Sequence, residues 1–412
     1  MENLVINCRY CNSKVEKIFV NLGKMPLANS YLSSEQINNI EISYPLCAYV
    51  CSECYLVQVD KFENPDSIFT NYAYFSSYSK TWLEHIKQYV EKSTNRFLNE
   101  NSHVIEIASN DGYLLQFFKD RGIQILGIEP AINVAQVAQQ NGIPTIIKFF
   151  SSTTAEEIVQ SGKRADLLIA FNVLPHVPDL NDFVRGLKIL LKDEGVITIQ
   201  FSAYMPKLIQ KTEFDMIYHE HFSYFSLITL QKVFEHHNLT IFDVEELSIH
   251  GGSLRLYLKH SDNNSIKIMD AVQQKIDEER QFGLDKIVTY EKFQQQVIDI
   301  KNKTKKFFDD IKKQNKKIVG YGAAAKGNTF LNYCNIGIES IQYVVDISPH
   351  KQGLYLPGTH IPIYHPDKIL QTKPDYVVIL AWNLKEEIIE QMKYIRKWGG
   401  KFVVFIPEVE IF

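Results

Sequence analysis

HVIEIASNDG, at residues 103–112, is the stretch of this chain that most constrains its fold. A β-rich run, Val104 to Ala108, passes into a turn of small and polar residues, and a helical pattern follows from Leu114 to Asp120. Small residues in such a strand–turn–helix corner let the backbone approach a ligand at the carboxyl end of the strand. The stretch therefore predicts a Rossmann-like sheet with a ligand site at this corner.

Strand and helix signals alternate beyond this corner. The further β-rich runs are Ile125–Glu129, Asp166–Phe171 and Val196–Phe201, and the further helical patterns are Asn133–Gln140 and Asn181–Leu191. Alternation of this kind predicts parallel strands joined by crossover helices, which form a doubly wound sheet. Thr240–Val244 and Leu254–Lys259 follow without a helix between them, so we expect an antiparallel pair at the edge of the sheet.

The residues at the corner distinguish between ligands. The second strand ends at Glu129, and a carboxylate in that position can accept both hydroxyls of a ribose. Of the Gly-x-Gly-x-x-Gly run that binds a dinucleotide only Gly112 is present, and Glu106 would repel a phosphate but attract a cation. S-adenosylmethionine (SAM) carries an adenosine and a sulfonium, so the pattern favours SAM over a purely structural corner.

Two cysteine pairs precede the sheet: Cys8 with Cys11, and Cys51 with Cys54. Each Cys-x-x-Cys turn directs two thiolates at one ion, and two such turns complete a tetrahedral zinc site. Four thiolates leave no position for water, so the predicted zinc is structural. Its binding energy contributes to the folding of a segment that is too short to bury a core. The alternative is four unrelated buried thiols.

A second α/β pattern follows a polar, helical segment at residues 262–317. Its predicted strands are Ile318–Gly320, Ile341–Asp346, Tyr376–Leu380 and Phe402–Phe405. The loop GYGAAAKGN, at residues 320–328, leads from the first of them into a helix, where free N–H groups and Lys326 would attract a diphosphate. A dinucleotide and a sugar nucleotide both fit this loop.

The bulk composition excludes several classes of protein. A chain with 45% hydrophobic and 22% charged residues and a formal net charge of -4 is an ordinary globular chain, not one that neutralises nucleic-acid phosphates. No apolar run reaches the length of a membrane span, and the N-terminus, MENLVINCRY, lacks a secretion signal. We expect a cytoplasmic protein with no nucleic-acid or membrane partner and, without a long heptad pattern, a monomer or weak dimer.

Titratable side chains are concentrated at residues 215–224, which read DMIYHEHFSY. A hydrophobic core would not select such a segment, whereas a site of proton transfer needs one. His219 and His221 flank Glu220 and could instead hold a second metal ion, but no further ligand pattern stands nearby. The segment therefore predicts acid–base chemistry.

Seven motifs occur in an order that resembles the nucleotide-sugar C-methyltransferase family, whose members use SAM to methylate C3 of TDP-linked 4-keto-deoxysugars. They are the paired cysteines, YAYFSSYS at 72–79, EIASNDG at 106–112, NVLPHVPD at 172–179, YHEH at 218–221, HGGSLR at 250–255 and GAAAKG at 322–327. The resemblance covers essentially the whole chain. One departure is Ala108, where members usually have glycine.

The resemblance implies an α/β protein of three domains. These are an N-terminal zinc-binding domain at residues 1–70, a central class I SAM methyltransferase domain of Rossmann-like fold at 71–260, and a C-terminal Rossmann-like α/β domain at 261–412. The third domain would hold the nucleotide sugar.

The resemblance also implies which residues form the sites. The catalytic residues would be His221, Glu220, Tyr218 and one of Tyr72 and Tyr74. The residues around SAM would be Glu106, Ala108, Asn110, Asp111, Gly112, Glu129, Asn172 and His176. The residues around the sugar nucleotide would be Tyr78, Ser253, Arg255, Gly322, Ala324, Lys326, Asn328 and Asp346. Structural zinc would be held by Cys8, Cys11, Cys51 and Cys54.

In the implied reaction His221 removes the C3 proton of a dTDP-linked 4-keto-6-deoxysugar, and the enolate carbon takes the methyl group. A histidine near its ordinary pKa of about 6.5 is largely neutral at pH 7 and can accept that proton. Glu220 would bind a polar group or steady the histidine, and Tyr218 would donate toward the sugar. Two alternatives stay open: an NAD-dependent nucleotide-sugar oxidoreductase or epimerase, and a zinc-bearing binding module without catalytic activity.

Overall fold

The computed structural model describes residues 6–62 and 76–412. The predicted site residues Tyr72 and Tyr74 lie outside the described residues. The β-strands are Ile6–Asn7, Lys14–Val15, Lys17–Met25, Tyr44–Val50, Val57–Val59, His103–Ile107, Gln124–Ile128, Thr145–Ile146, Ala165–Phe171, Leu191–Ser202, Ser223–Tyr224, Leu239–Leu247, Ser253–His260, Ile318–Tyr321, Val344–Val345, Ile363–Tyr364, Tyr376–Ile379, Lys401–Val404 and Glu410–Ile411. The α-helices are Lys80–Phe97, Leu115–Lys119, Ile132–Gln140, Ser152–Gln160, Leu180–Leu190, Met205–Gln210, Leu227–His236, Asp270–Phe282, Ile287–Glu291, Phe293–Lys313, Ala325–Cys334, Lys368–Thr372 and Lys385–Gln391.

Seven strands form the central sheet. From edge to edge they are Leu239–Leu247, Ser253–His260, Leu191–Ser202, Ala165–Phe171, His103–Ile107, Gln124–Ile128 and Thr145–Ile146. Every neighbouring pair is parallel except the two pairs made by Ser253–His260. The predicted doubly wound α/β sheet and its antiparallel edge pair are confirmed. Sequence did not predict the order of this pair. Strand Ser253–His260 lies beside Leu191–Ser202, and Leu239–Leu247 forms the edge of the sheet.

The helices cover the sheet through apolar stripes with helical spacing. Helix Leu180–Leu190 begins where Asp179 accepts the backbone N–H of Asp182 at 3.0 Å, an N-cap that satisfies one free donor of the first turn. Gly186 lets this helix approach the start of helix Ser152–Gln160, because a Cβ there would lie 2.9 Å from the carbonyl oxygen of Ser151. The large side chains that the helix buries are Leu180, Phe183, Val184, Leu187 and Leu190.

A second α/β sheet lies in the C-terminal part of the chain. Its strand order is Ile363–Tyr364, Val344–Val345, Ile318–Tyr321, Tyr376–Ile379, Lys401–Val404 and Glu410–Ile411. The first five strands are parallel and the last is antiparallel. The loop after Ile318–Tyr321, which contains Lys326, therefore lies at the carboxyl edge of this sheet, where open α/β sheets bind ligands.

The N-terminal region contains a four-stranded antiparallel sheet that includes a strand from the acid–base segment. Ser223–Tyr224 pairs with Val57–Val59, and the backbone N–H of Val59 donates to the carbonyl of Phe222 at 3.0 Å. The N-terminal region is thus joined to the acid–base segment by main-chain hydrogen bonds. The domain boundaries at residues 70 and 260 stay a prediction.

The C-terminal region contacts the same segment through a buried tryptophan. The indole nitrogen of Trp382 donates to Asp215 Oδ2 at 2.7 Å, and the two residues are 8% and 1% exposed. Gly251 makes room for the ring, because a Cβ there would lie 2.5 Å from it. Burial raises the pKa of Asp215 to about 6. The Lys326 ammonium and the indole N–H both oppose this rise, because each stabilises the ionised form of the carboxyl.

Replacing Trp382 by phenylalanine keeps an aromatic ring but removes this donor. We expect the free energy of unfolding to fall by about 1.5 to 3 kcal/mol, the contribution of a buried hydrogen bond to a charged group. The loss should be larger at pH 8 than at pH 5, because Asp215 is ionised only above its pKa of about 6. Denaturant unfolding at both pH values measures it.

Trp398→Phe is the matched control, because the indole nitrogen of Trp398 donates to the neutral carbonyl of Pro374 at 3.0 Å. The decrease in the free energy of unfolding that Trp398→Phe causes should not depend on pH. Equal pH dependence in the two variants would contradict the account of Asp215.

Candidate active site

A cavity of about 390 Å³ opens at the carboxyl ends of the central strands. Of the eight residues predicted around SAM, the structure places five in its wall, and Trp82, Phe149 and Phe150 add aromatic surface. A pocket with apolar walls and a few convergent polar groups is typical of a small-molecule site. The five predicted wall residues are Ala108, Asn110, Glu129, Asn172 and His176.

Three of the wall residues adopt left-handed backbone conformations. The φ angles are +55° at Ala108, +50° at Asn110 and +55° at Asn172. Asparagine tolerates this region, whereas at alanine the Cβ crowds the following carbonyl at a cost of about 1 to 2 kcal/mol. Members of the family that the chain resembles usually have glycine at this position, and glycine avoids the strain because it has no Cβ. This chain keeps the left-handed turn with alanine despite the strain.

Glu129 holds the two loops that frame the cavity. Its Oε1 accepts the backbone N–H of Ala131 at 2.8 Å, and its Oε2 accepts that of Asn110 at 2.9 Å. The side chain is 5% exposed, and burial raises the pKa of Glu129 to about 7. Each oxygen has a second lone pair, so the carboxylate can also accept the hydroxyls of a ribose.

A glutamine at position 129 should remove the pH dependence of SAM binding. A carboxyl with a pKa of about 7 is about one-tenth ionised at pH 6 and about nine-tenths ionised at pH 8. Hydroxyl donors favour the ionised form, so SAM should bind the unaltered protein nearly tenfold more tightly at pH 8 than at pH 6. Calorimetric titration at the two pH values measures the difference.

Glu129→Gln should bind SAM more weakly at pH 8 and should show little change between the two pH values. The exposed carboxylate of Glu156, on the neighbouring helix, provides the control variant Glu156→Gln, which should keep the tenfold difference. If the difference in SAM affinity between the two pH values persists in Glu129→Gln, another titratable group causes it.

The remaining three predicted SAM residues lie behind the wall. Glu106 is fully buried, and burial raises its pKa well above the ordinary value. Asp111 accepts the hydroxyl and the backbone N–H of Ser77, at 2.5 and 3.3 Å. Gly112 packs on Ile143, where a Cβ would approach within 2.9 Å. In this structure the three shape the loop, and their contact with SAM stays a prediction.

His221 lies in a buried cluster beside the cavity. Its Nδ1 is 2.9 Å from the carbonyl oxygen of Met216, and a carbonyl only accepts, so Nδ1 carries the proton. Nε2 therefore carries the lone pair, and the hydroxyl of Tyr218 donates to it at 2.7 Å. Burial lowers the pKa of His221 well below its ordinary value, and the nearby imidazole of His176 lowers it further. The ring is thus a neutral base at pH 7.

His176 connects this cluster to the cavity. It lines the cavity, and its ring meets that of His221 edge to face with centroids 4.7 Å apart. Its Nδ1 donates to the backbone carbonyl of Glu220 at 2.9 Å, and burial lowers its pKa to about 4. A group held in the cavity beside His176 would therefore lie close to the predicted base.

Glu220 points to the N-terminal region of the chain. The amide nitrogen of Asn29 is 2.8 Å from both of its carboxylate oxygens. The side chain is 2% exposed, and burial raises the pKa of Glu220 to about 7. His219, the other histidine of the segment, faces away and contacts the carbonyl of Pro45 at 3.1 Å.

The residues predicted around the sugar nucleotide lie in three places. Ser253 and Arg255 lie in the central sheet, where Arg255 donates to Gln200 and Glu245 and stacks over Tyr89. Tyr78 is in the short helix Ser76–Tyr78. The group at the carboxyl edge of the C-terminal sheet consists of Gly322, Ala324, Lys326, Asn328 and Asp346. The structure thus brings five of the eight together, and their contacts with substrate stay predictions.

Lys326 is buried in the group at the carboxyl edge of the C-terminal sheet. Its Nζ donates to Asn383 Oδ1 at 2.6 Å and lies 4.9 Å from the ring centroid of Trp382. Burial lowers its pKa, which the carboxyls of Asp215 and Glu213 partly counteract. A positive charge is therefore held at the side of the C-terminal sheet that faces the acid–base segment.

The four paired cysteines converge at the N-terminus. Their sulfurs all lie within 4.8 Å of one another, with separations of 3.5 Å for Cys8 to Cys54, 3.5 Å for Cys11 to Cys51 and 3.7 Å for Cys11 to Cys54. Tetrahedral zinc with Zn–S bonds of about 2.3 Å spaces its sulfurs about 3.8 Å apart, so the four thiolates fit one zinc ion.

The two cysteine turns have the same backbone geometry. The N–H of Cys8 donates to the carbonyl of Ser13 and that of Cys51 to Leu56, five residues on in each case. Asn12 and Tyr55, each four residues after the first cysteine of its pair, have φ angles of +60° and +65°. Two equivalent turns thus present their thiolates to a shared ion.

Sequence reasoning missed Asn29 and Trp382. Neither residue belongs to a motif, and each reaches the acid–base segment from a distant part of the chain. Asn29 is 191 residues from Glu220, and Trp382 is 167 residues from Asp215. No local pattern carries such a contact.

Among the helices of residues 6–62 and 76–412, none combines the length and the apolar character that a membrane crossing requires.

The sheet order, the cavity at the strand ends and the acidic residue after the second strand define a class I SAM-dependent methyltransferase. Three family models match the chain: "Methyltransferase domain" at residues 82–244, "C-methyltransferase C-terminal domain" at 248–407 and "Putative zinc binding domain" at 8–69. C-methyltransferase NovU from Streptomyces niveus is 33% identical over 98% of this chain and 96% of its own. The chain belongs to the family of SAM-dependent C-methyltransferases with an N-terminal zinc site.

More distant relatives match a smaller share of the chain. Ubiquinone biosynthesis O-methyltransferase from Bartonella quintana is 25% identical over 24% of this chain and 41% of its own. The crystal structure of magnesium protoporphyrin IX methyltransferase from Synechocystis with bound SAM covers 44% of this chain and 82% of its own, at 15% identity and a TM-score of 0.33.

Proposed function

We propose that this C-methyltransferase methylates C3 of a nucleotide-linked, dTDP-type 4-keto-6-deoxysugar, with His221 as the base. The observation that carries the proposal is the lone pair of His221 Nε2, which is held in a buried cluster between the SAM cavity and the C-terminal sheet. The name of the relative that spans the whole chain supports carbon as the methyl acceptor. The sugar substrate rests on the motifs that resemble the nucleotide-sugar enzymes.

The reaction requires a base and a donor for the ketone oxygen. C3 of a 4-keto sugar loses its proton readily only when the enolate oxygen is stabilised as the proton leaves. In our proposal the hydroxyl of Tyr218 turns from Nε2 to the ketone oxygen, which frees the lone pair of Nε2. The C3–H bond then breaks, its proton passes to His221, and its electron pair forms the enolate.

SAM supplies the methyl group as a sulfonium electrophile. The enolate carbon forms its bond to the methyl group as the bond from sulfur to methyl breaks, which leaves the neutral thioether. His176, which touches both the cavity and His221, would keep the two reacting carbons in line. A zinc ion held by the four cysteine thiolates would have no open position and would not polarise the ketone.

The relatives of the chain weigh against an NAD-dependent enzyme, because both the relative that spans the whole chain and the family model matched at residues 248–407 are described as C-methyltransferases. The oxidoreductase or epimerase reading is therefore not favoured.

Mass spectrometry tests the proposal. The purified protein is incubated in heavy water with SAM and a panel of nucleotide-linked 4-keto-6-deoxysugars. We expect one sugar to gain a methyl group in place of a hydrogen. Deuterium uptake without methylation would retain the base but contradict methyl transfer to that sugar, and neither change on any keto sugar would overturn the proposed substrate class.

A further inference from the structure

A segment of the zinc-bearing region, residues 28–31, lies between the acid–base segment and the C-terminal sheet. The carbonyl of Ala28 accepts the side-chain amide of Asn328 at 2.6 Å, and Tyr31 donates its hydroxyl to Ala323 at 2.6 Å. Both partners belong to the loop and helix that follow strand Ile318–Tyr321. Asn29 is thus fixed on each side by contacts with the C-terminal region.

Asn29 directs its side chain at a residue of the proposed active site. Its Nδ2 lies 2.8 Å from Glu220 Oε1 and 2.8 Å from Oε2. The terminal torsion of a glutamate is broad and two-fold, so a free carboxyl rotates. One amide that reaches both oxygens fixes the plane of this carboxyl and leaves its outer lone pairs for another partner.

We infer that Asn29 is a positioning residue for Glu220, so that the zinc-bearing region completes the site of methyl transfer. The inference rests on the proposed function and adds a residue to it. A carboxyl held in one plane can meet a polar group of the sugar without an ordering cost at the moment of reaction. A neutral amide does this without adding a charge beside the buried carboxyl.

The contact also influences the protonation of Glu220. Burial raises the pKa of this carboxyl to about 7, while the Asn29 amide and the Lys351 ammonium oppose that rise. The other titratable groups around it are Tyr31, His176 and His221, of which both imidazoles have lowered pKa values. Without the amide the carboxyl would ionise at higher pH, because the ionised form loses a donor.

The test compares Asn29→Ala and Asn29→Asp with the unaltered protein on the same sugar. We expect kcat to fall tenfold or more in Asn29→Ala, with the Kd for SAM unchanged within twofold. One limb of the pH–rate profile should reflect the ionisation of Glu220 and should therefore be absent from Glu220→Gln. In Asn29→Ala this limb should move to higher pH. Asn29→Asp should lose more activity at pH 7, because two carboxylates at this distance would have to share a proton.

Asn39→Ala, at an exposed asparagine of the same region, is the control and should leave rate and profile unchanged. An equal loss at every pH would indicate a purely structural contact and overturn the inference, as would an unchanged kcat. Infrared difference spectra between a protein that contains Glu220 and the Glu220→Gln variant report the pH at which the Glu220 carboxyl is half ionised. This measurement does not require turnover. An unmoved midpoint in Asn29→Ala overturns the inference, and a moved midpoint in a protein that methylates no keto sugar overturns only the proposed function.

Discussion

Replacing His221 by asparagine is expected to lower kcat by about 10²- to 10⁴-fold, the range that a general base contributes. Asparagine can still donate to the carbonyl of Met216, which now accepts from Nδ1 at 2.9 Å, but its amide cannot take a proton from carbon. SAM should bind with unchanged affinity, because His221 is absent from the wall of the cavity. Steady-state kinetics together with calorimetric titration of SAM measure both effects.

His219→Asn is the matched control, since it makes the same change two residues away on a side chain that contacts Pro45. It should keep most of the turnover. Burial holds the pKa of His221 below its ordinary value, so the lone pair of Nε2 is already present on the acidic side of pH 6.5. Turnover in His221→Asn that matches the control would remove His221 as the base.

Loss of zinc is expected to unfold the N-terminal region and to abolish activity. Structural zinc binds with an apparent free energy of about 10 to 16 kcal/mol, which exceeds or matches the whole stability of a typical domain. The effect should extend beyond residues 6–62, because their sheet contains Ser223–Tyr224 and their Asn29 reaches Glu220. Elemental analysis should find one zinc per chain in the unaltered protein.

Cys51→Ser should lose the metal and melt at a much lower temperature, and a chelator should have the same effect on the unaltered protein. Cys47→Ser provides the control, because Cys47 is buried in the same sheet but lies outside the cluster. Full metal content and unchanged melting in Cys51→Ser would contradict the four-thiolate site.

Sequence predicted the features of this protein that depend on local pattern. The central sheet followed from alternating strand and helix signals, and the zinc site from two cysteine spacings, since each pattern directly constrains the backbone near it. The same reasoning placed His221, Glu220 and Tyr218 in one segment. It could not find the tautomer of His221, which depends on the carbonyl of Met216.

Contacts between distant segments were beyond sequence reasoning. Asn29 and Trp382 are ordinary residues of their own loops, and only the assembled fold places them against Glu220 and Asp215. Arg255 illustrates the opposite case. The family resemblance implied a contact between Arg255 and the sugar nucleotide, and in this structure Arg255 contacts Gln200, His85 and Glu245, so its contact with substrate stays a prediction. A charged side chain in a motif does not reveal whether its partner is substrate or protein.

The strand Ser223–Tyr224 affects how the chain is made as well as how it works. Residues 6–62 leave the ribosome before Ser223–Tyr224, so the edge of their sheet at Val57–Val59 acquires its partner only after translation has passed Tyr224. Until then an unpaired edge is open to other chains, a state that favours aggregation and calls for chaperones. A fragment that ends before this strand would carry the same exposed edge permanently. The zinc-bearing region is therefore a poor module to excise, transplant or express alone.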